Sequence, residues 1–281
     1  MQINNQILER GHLKPIVFDT FYNATQKPKP LVIFCHGYKG FKDWGCWNMV
    51  GNAFMEAGLF FVKFNFSHNG GTINNPIDFP DLEAFAENNY TKELDDLEAV
   101  IQVFTNENSK YNKEIDTKNI TVIGHSRGGG IAILKASENL KINKLITWAS
   151  VCNFIKRTAN LGDLKAWKDH GKIYVLNGRT KQQMPHNYQF YQNLINNKNR
   201  LNIKKAAKKL KIPFLIIHSK DDASVKYSEA EKLKQWTKHA TLVSISNSNH
   251  VFGAMHPYNK KELPEKLETV VKNSIQFILN H

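Results

Sequence analysis

The sequence is poor in cysteine and has no long apolar run. Its three cysteines, Cys35, Cys46 and Cys152, are an odd number without paired spacing, which argues against a disulfide framework and favours a reducing compartment. No apolar segment approaches the roughly 20 residues that a membrane-spanning helix needs. The N-terminus lacks the basic start and the apolar run of a signal peptide. We therefore expect a cytoplasmic protein without a membrane partner.

Metal-binding and nucleotide-binding motifs are also missing. The sequence has no Cys-x-x-Cys pair, no cluster of metal-ligating residues and no nucleotide-binding glycine loop, so we infer no metal and no cofactor. Acidic residues are fewer than basic ones, and the formal net charge is +13. The basic residues are mostly lysines spread along the chain, and the densest cluster, at positions 204–211, is typical of the solvent face of a helix. Because no recognition motif accompanies the charge, we expect no nucleic-acid partner.

What the sequence does have is a regular alternation of short apolar segments and amphipathic ones. The 281 residues can bury a sizeable core, and we take residues 1–281 as a single domain. Six short runs rich in Val, Ile and Phe predict strands, and most are apolar throughout, as in a parallel sheet covered on both faces. These runs are Leu31–Cys35, Phe60–Phe64, Ile120–Ile123, Leu145–Ala149, Phe214–Ile217 and Leu242–Ile245.

Helical patterns lie between these strands. Apolar residues at helical spacing predict helices at residues 92–106, 129–140, 228–239 and 264–279. Strands separated by such helices imply right-handed crossovers and an α/β fold with a doubly wound, mostly parallel central sheet. Two earlier segments, Ile3–Glu9 and Ile16–Tyr22, are expected to pair as an N-terminal hairpin.

Residues 153–208 separate two predicted strands by far more than one crossover helix requires. We expect this segment to form a helical cap inserted over one end of the sheet. It carries Trp167, Met184, Tyr188 and Tyr191, which are candidates for the wall of an acyl or aromatic pocket. A small hydrophobic core of the cap itself is the alternative role for each of them.

The segment Gly124-His125-Ser126-Arg127-Gly128 lies between a buried strand and a predicted helix. This is the context that a Gly-x-Ser-x-Gly nucleophile elbow requires. The serine must occupy a strained turn, and backbone crowds the positions two residues before and after it, so only small residues fit there. The helix that follows favours negative charge at its N-terminus. We therefore predict Ser126 as a catalytic nucleophile.

A serine hydroxyl becomes a good nucleophile when a histidine takes its proton and a carboxylate orients that histidine. His250 lies in the polar loop after the last predicted strand, where such a base belongs. Two adjacent carboxylates follow the strand before it, and we predict Asp222 as the partner, with Asp221 as the alternative. Surface or capping roles are expected for His12, His170, His186, His239 and His281.

The loop after the strand Leu31–Cys35 reads His36-Gly37-Tyr38-Lys39-Gly40. Glycines let a backbone approach a substrate oxygen closely. We predict the backbone N–H groups of Tyr38 and Arg127 as the two donors of an oxyanion hole. His36 is expected to orient this loop.

The sequence resembles the α/β-hydrolase superfamily over nearly its whole length. The motifs that carry the resemblance are His-Gly at 36–37, Gly-His-Ser-Arg-Gly-Gly at 124–129, His-Ser-x-x-Asp-x-x-Val at 218–225 and His-x-Phe at 250–252. The members that it most resembles are bacterial esterases of the cinnamoyl or feruloyl esterase and dienelactone-hydrolase-like kinds. The resemblance implies an α/β-hydrolase fold, a Ser126–Asp222–His250 triad, and oxyanion donors at Tyr38 and Arg127.

Three positions depart from the family pattern. Ser219 stands where the family loop usually has Gly, and the loop Gly40–Gly45 differs from that of the best-described esterases. Arg127 stands where Gln or Met is frequent. Its charge either favours an anionic substrate or pairs with a nearby acid.

These features predict a serine hydrolase that cleaves a small-molecule carboxylic ester through an acyl-serine intermediate. We expect substrate-binding roles for His36, Gly37, His68, Trp167 and Met184, with His68 at the pocket rim because its loop follows a strand. A peptidase or amidase similar to acylaminoacyl peptidases is the alternative, and a non-catalytic binding protein on this fold is a further one. The sequence leaves a monomer and a homodimer equally open.

Overall fold

The computed structural model describes residues 1–281 and contains ten strands and ten helices. The strands are β1 (Gln2–Arg10), β2 (Leu13–Phe21), β3 (Lys29–Cys35), β4 (Phe60–Phe64), β5 (Ile115–His125), β6 (Lys144–Trp148), β7 (Lys172–Leu176), β8 (Gln183–Asn187), β9 (Phe214–Ser219) and β10 (Thr241–Ile245). The helices are α1 (Trp47–Glu56), α2 (Leu82–Ala86), α3 (Tyr90–Thr105), α4 (Arg127–Glu138), α5 (Phe154–Ala159), α6 (Leu164–His170), α7 (Gln189–Asn196), α8 (Ile203–Lys209), α9 (Tyr227–Trp236) and α10 (Glu265–Asn280).

Eight strands form one mostly parallel sheet in the order β1-β2-β4-β3-β5-β6-β9-β10. The predicted N-terminal hairpin is confirmed, since β1 pairs antiparallel with β2, and β2 pairs antiparallel with β4. The remaining six strands run parallel to one another. The predicted doubly wound α/β sheet is confirmed, and β5, which leads to Ser126, lies near its middle.

Helices cover both faces of the sheet because successive strand residues point to opposite sides. In β3, Ile33 and Cys35 belong to a core cluster of 44 buried residues, whereas Val32 and Phe34 belong to a second cluster of 23. The larger cluster lies under the layer that contains α3, α4, α8 and α9, and the smaller one lies under α1 and α10. Double coverage explains why these strands are apolar throughout.

The helix α1 was not predicted from the sequence. Gly51 and Asn52 in its interior lower its intrinsic helix propensity. A side chain at Gly51 would have its Cβ 2.8 Å from the ring of Phe21, so the helix needs a glycine there to pack against β2. Tertiary packing therefore outweighs propensity in this segment.

Residues 153–208 contain the helices α5, α6, α7 and α8, and they also contain a feature that was not predicted. The strands β7 and β8 pair as a separate antiparallel ribbon. In α8, Ala206 and Ala207 are buried and the lysines face solvent, as predicted. All three cysteines are free and buried. None of the ten helices combines the length and the hydrophobicity that a bilayer crossing needs.

Candidate active site

Ser126 occupies a sharp turn between β5 and α4. Its backbone has φ 56° and ψ −118°, a strained conformation for a residue with a side chain. The flanking glycines make the turn possible, because a Cβ at Gly124 would overlap the carbonyl of Gly128 and a Cβ at Gly128 would overlap the carbonyl of Cys35. The strand and the turn together present the Ser126 hydroxyl at the carboxyl edge of the sheet.

The structure brings Ser126, His250 and Asp222 together. The Nε2 atom of His250 lies 3.0 Å from Ser126 Oγ, and its Nδ1 atom lies 2.7 Å from Asp222 Oδ2. A proton on Nδ1 donates to the carboxylate and leaves Nε2 free to accept the serine proton. This is the order of contacts that activates a serine hydroxyl.

Asp222, and not Asp221, contacts His250. The carboxylate of Asp221 instead accepts a hydrogen bond from the Asn247 amide at 2.7 Å, on the neighbouring turn. Burial of Asp222 raises the pKa of its carboxyl, but hydrogen bonds from His218 and His250 outweigh burial and hold that pKa well below its usual value. Asp222 is therefore an anion at neutral pH.

His125 supports His250 from behind, a role that the sequence did not indicate. The two rings lie 4.9 Å apart, and His125 Nε2 donates to the His250 carbonyl at 3.1 Å. Burial lowers the pKa of His125 to about 3, so its ring is neutral. A neutral neighbour does not repel positive charge that develops on His250.

The loop after β3 closes onto Ser126. A Cβ at Gly37 would lie 3.0 Å from Ser126 Cβ, so only glycine allows this approach. The backbone amide of Tyr38 donates to no protein carbonyl, and Arg127 is the first residue of α4, whose amide has no acceptor in a preceding turn. Both amides are thus available to an oxygen outside the protein chain.

His36 holds this loop in place rather than facing the cavity. Its Nδ1 donates to the Gly37 carbonyl at 2.9 Å, and its Nε2 accepts from the Phe66 amide at 3.2 Å. Burial lowers the pKa of His36 to about 4, which keeps Nε2 unprotonated as that acceptor requires.

The side chain of Arg127 is enclosed by aromatic rings. Its guanidinium lies 4.2 Å from the ring centroid of Tyr38 and 5.4 Å from that of Tyr90, and its Nη1 is 3.4 Å from Glu93 Oε1. Burial disfavours the charge of Arg127, but the Glu93 carboxylate outweighs burial and raises the pKa of the guanidinium. Of the two roles that the sequence left open for this charge, the structure contains the pairing with an acid.

His186 corrects a sequence prediction. It is not a surface or capping residue, because its side chain is buried and its Nε2 accepts a hydrogen bond from the Tyr38 hydroxyl at 2.7 Å. Burial lowers the pKa of His186 to about 3. The Trp167 indole donates to the His186 carbonyl at 2.8 Å, which fixes His186 within residues 153–208. The bond from the Tyr38 hydroxyl to His186 then connects this segment to the loop that carries Tyr38.

A cavity of about 340 Å³ opens beside Ser126. Most of its wall was missed by sequence reasoning, because its residues come from segments that are far apart in the chain. The lining residues are Tyr38, Tyr90, Ser126, Arg127, Val151, Phe154, Arg157, Asn160, Leu161, Ser224, Val225 and His250.

None of the five predicted substrate-binding residues lines this cavity. His36 holds the loop after β3, Gly37 packs against Ser126 Cβ, and the other three lie elsewhere. Trp167 is fully buried in the main core, and Met184 is fully buried against a cluster of phenylalanines that includes Phe41. The alternative for them, a small core of the cap itself, is not what the structure contains either, because Trp167 joins the 44-residue cluster and the phenylalanines around Met184 lie outside residues 153–208. His68 hydrogen-bonds to Ser67 in the loop after β4 and lies outside the cavity wall. The packing of residues 153–208 against the rest of the chain determines where Trp167 and Met184 lie, and this packing cannot be read from a single sequence.

Comparison with known proteins assigns the chain to a family. The BD-FAE family model matches residues 19–237, which is most of the chain. The chain belongs to the BD-FAE family. No curated protein sequence matches it.

Solved structures show the fold that this BD-FAE chain shares. The chain is similar to Est1E from Butyrivibrio proteoclasticus, at 20% identity and a TM-score of 0.70, over 98% of this chain and 97% of that one. It is similar to dienelactone hydrolase from Anabaena variabilis, at 14% identity and a TM-score of 0.63, over 100% and 98%. It is also similar to an acylaminoacyl peptidase from Pyrococcus horikoshii, at 15% identity and a TM-score of 0.67, over 99% of this chain but 41% of that one. The predicted α/β-hydrolase fold is thereby confirmed.

Proposed function

We propose that this BD-FAE protein is a serine hydrolase that cleaves small-molecule carboxylic esters through an acyl-serine intermediate. The observation that carries the proposal is the contact chain from Ser126 Oγ to His250 Nε2 at 3.0 Å and from His250 Nδ1 to Asp222 at 2.7 Å. A serine, a histidine and a carboxylate in this order form a nucleophile, its base and the group that orients the base.

The proposed reaction has two chemical steps. In the first, Ser126 Oγ attacks the carbonyl carbon while its proton moves to His250 Nε2, and the carbonyl oxygen becomes an oxyanion that the Tyr38 and Arg127 amides stabilise. Collapse of this intermediate breaks the ester bond, and the alcohol leaves with the proton from His250. In the second step, water attacks the acyl-serine, gives a proton to His250, and releases the acid as Ser126 recovers its proton.

The shape and the lining of the cavity favour a small ester. Its volume of about 340 Å³ suits a small molecule. Three aromatic side chains, Tyr38, Tyr90 and Phe154, contribute to its wall and suit an apolar or aromatic group. One of the similar structures is Est1E with bound ferulic acid, at 19% identity and a TM-score of 0.70, over 94% of this chain and 95% of that one. An aromatic acyl group is therefore a reasonable first substrate to test.

A peptidase or amidase activity is the second candidate, since an acylaminoacyl peptidase has the same fold. A free amine terminus of a peptide would need an anionic partner. The wall of the cavity has no aspartate or glutamate, and the nearby Glu93 and Glu229 are already paired with Arg127 and Arg157. These pairings disfavour a substrate with a free amine terminus. An N-acylated peptide has no such terminus, so the comparison of ester and amide substrates below decides that case.

Replacement of the nucleophile tests the proposal directly. Ser126→Ala should reduce release of nitrophenol from p-nitrophenyl butyrate by a factor on the order of 10⁶. It should also abolish labelling by a fluorophosphonate probe. Ser246→Ala is the matched control, because Ser246 is exposed, and it should keep wild-type turnover and labelling. Undiminished turnover in a folded Ser126→Ala protein would refute the assignment. Parallel panels of esters and aminoacyl amides separate the two candidate activities.

A further inference from the structure

A second cleft adjoins the cavity at Ser126. It has a volume of about 380 Å³ and lies among α5, α8 and α9. Phe154 and Arg157 line both spaces, so the two meet at these side chains. The second cleft therefore lies next to the first cavity, on the other side of Phe154 and Arg157.

The charge of this cleft is strongly one-sided. Its wall has one carboxylate, Glu229, against six cationic side chains. In the whole chain the ratio is 38 basic to 25 acidic residues, so the cleft is far more basic than the protein is on average. The six cations are Lys156, Arg157, Lys198, Lys204, Lys226 and Lys232.

The single carboxylate is already fully engaged. Glu229 Oε1 accepts from Arg157 Nη2 at 2.6 Å, and its Oε2 accepts from the Cys152 amide at 2.7 Å. Arg157 Nη1 donates to the Ser224 carbonyl at 2.7 Å, which fixes the guanidinium at the junction of the two spaces. The five lysines have neither a carboxylate within salt-bridge distance nor a hydrogen-bond acceptor for their ammonium groups, and all five are exposed.

The wall also has apolar surface between the charges. Phe154 stands at the junction, and Trp236 lies on the far side with the Lys204 ammonium 5.7 Å from its ring centroid. An organic spacer can pack on the partly exposed Trp236 ring while an anionic end group meets the lysines.

We propose that this lysine-lined cleft binds an anionic group of the ester substrate, so that the preferred substrates are esters whose acyl or alcohol part ends in a carboxylate or a similar anion. The inference rests on the proposed esterase function and names the substrate class of that same site. Unpaired positive charges around one concave surface raise the local concentration of an anionic substrate, and the effect weakens as salt screens it.

Matched ester pairs test the preference. On the alcohol side, 4-acetoxybenzoate is compared with its neutral methyl ester. On the acyl side, the monomethyl esters of adipate and suberate are compared with the corresponding dimethyl esters. The anionic member of at least one pair should have a kcat/KM higher by about tenfold at low ionic strength. That ratio should fall toward one at 0.5 M NaCl, where the screening length is only a few ångströms.

Removal of the lysines localises the effect. The triple variant Lys156→Gln/Lys198→Gln/Lys232→Gln should lose most of the anionic-to-neutral ratio. The control triple variant, Lys113→Gln/Lys260→Gln/Lys261→Gln, removes the same net charge from exposed positions outside the cleft and should keep the wild-type ratio. Thermal midpoints of both variants check that each is folded.

Two results would overturn the inference. One is an anionic-to-neutral ratio near one for every pair, and the other is an equal loss of the ratio in both triple variants, which would assign the effect to net charge. Neither result bears on the esterase function, which is tested separately by turnover of neutral esters and its dependence on Ser126. Absence of neutral-ester turnover in the wild-type protein, by contrast, would refute the esterase function and with it the proposed anionic substrate class.

Discussion

A buried square of alternating charges connects the loop that carries Tyr38 to the strands β2 and β4. Lys42 and Asp43 come from this loop, Asp19 comes from β2, and Lys63 comes from β4. Lys42 lies 2.8 Å from Asp19 and 2.6 Å from Asp43, and Lys63 lies 2.7 Å from Asp19. The side chains of Lys42, Asp19 and Lys63 are at most 1% exposed, so water does not screen these pairs.

The variant Lys63→Met should destabilise the protein strongly. It leaves two carboxylates to share one lysine in a site of low dielectric constant, and an unpaired buried charge costs about 3–5 kcal/mol. A typical free energy of unfolding is about 5–15 kcal/mol, so this loss is a large share of the total. At about 2–4 °C per kcal/mol, the unfolding midpoint should fall by roughly 6–20 °C.

Urea unfolding of five proteins measures the effect: the wild type, the single variants Lys63→Met, Asp19→Asn and Lys260→Met, and one double variant. Lys260→Met is the control for removal of a lysine, because Lys260 is exposed and outside any ion pair, and it should change the free energy of unfolding by less than about 0.5 kcal/mol. The double variant Lys63→Met/Asp19→Asn restores charge balance and should be more stable than the sum of its two single variants predicts. A loss below 1 kcal/mol in Lys63→Met, or strictly additive single variants, would refute the view that the four charges act as one buried unit.

Two further predictions concern the site. Arg127→Met should lower kcat for a neutral ester by about tenfold or more, because the Tyr38 ring loses the cation packed on it and the amide of Tyr38 is held less firmly. Unchanged kcat in a folded variant would contradict this. The double variant Arg127→Met/Glu93→Gln should recover the stability that the single variant loses by leaving Glu93 unpaired. The free energy of unfolding should fall as pH drops from 6.5 toward 5. Burial holds the pKa of His36, His125 and His186 in the folded state at about 3 to 4, below the unfolded value near 6.5. The stability that these neutral rings contribute is therefore complete only above about pH 6.5. The slope reaches up to about 1.4 kcal/mol per pH unit for each of them. Urea midpoints that do not change between pH 6.5 and 5 would show that these rings are protonated in the folded state as readily as in the unfolded chain.

Local features of the chain could be predicted because their physical causes are local. A strand such as Phe60–Phe64 is apolar throughout because both faces of a parallel sheet are covered, and the structure has it with the same bounds. The turn at Ser126 could be located because only glycine fits at Gly124 and Gly128. The loops that carry Asp222 and His250 followed from the rule that parallel strands end at one edge of the sheet. The choice of Asp222 over Asp221 rested on the His-Ser-x-x-Asp-x-x-Val pattern that resembles the α/β-hydrolase superfamily.

Distant contacts could not be predicted in the same way. Trp167 and Met184 looked like pocket residues because they are large and apolar in an inserted segment, yet both are buried in cores. His186 looked like one surface histidine among several until the fold placed it against the Tyr38 hydroxyl. The ribbon of β7 and β8 lies outside the main sheet and is partly exposed, and β8 contains a proline and polar residues, so β8 lacks the apolar run that marks a strand covered on both faces.

The sequence by itself therefore determined which side chains carry the proposed attack on an ester bond, since the elbow, the proposed base and the proposed acid each depend on a short motif placed after a strand. Only the tertiary structure decided what surrounds that bond. The cavity wall and the lysine-lined cleft are assembled from segments such as α3, α5 and α9, which are far apart in the chain. Their joint chemistry exists only after packing, because no single segment carries enough of it to leave a pattern in the sequence.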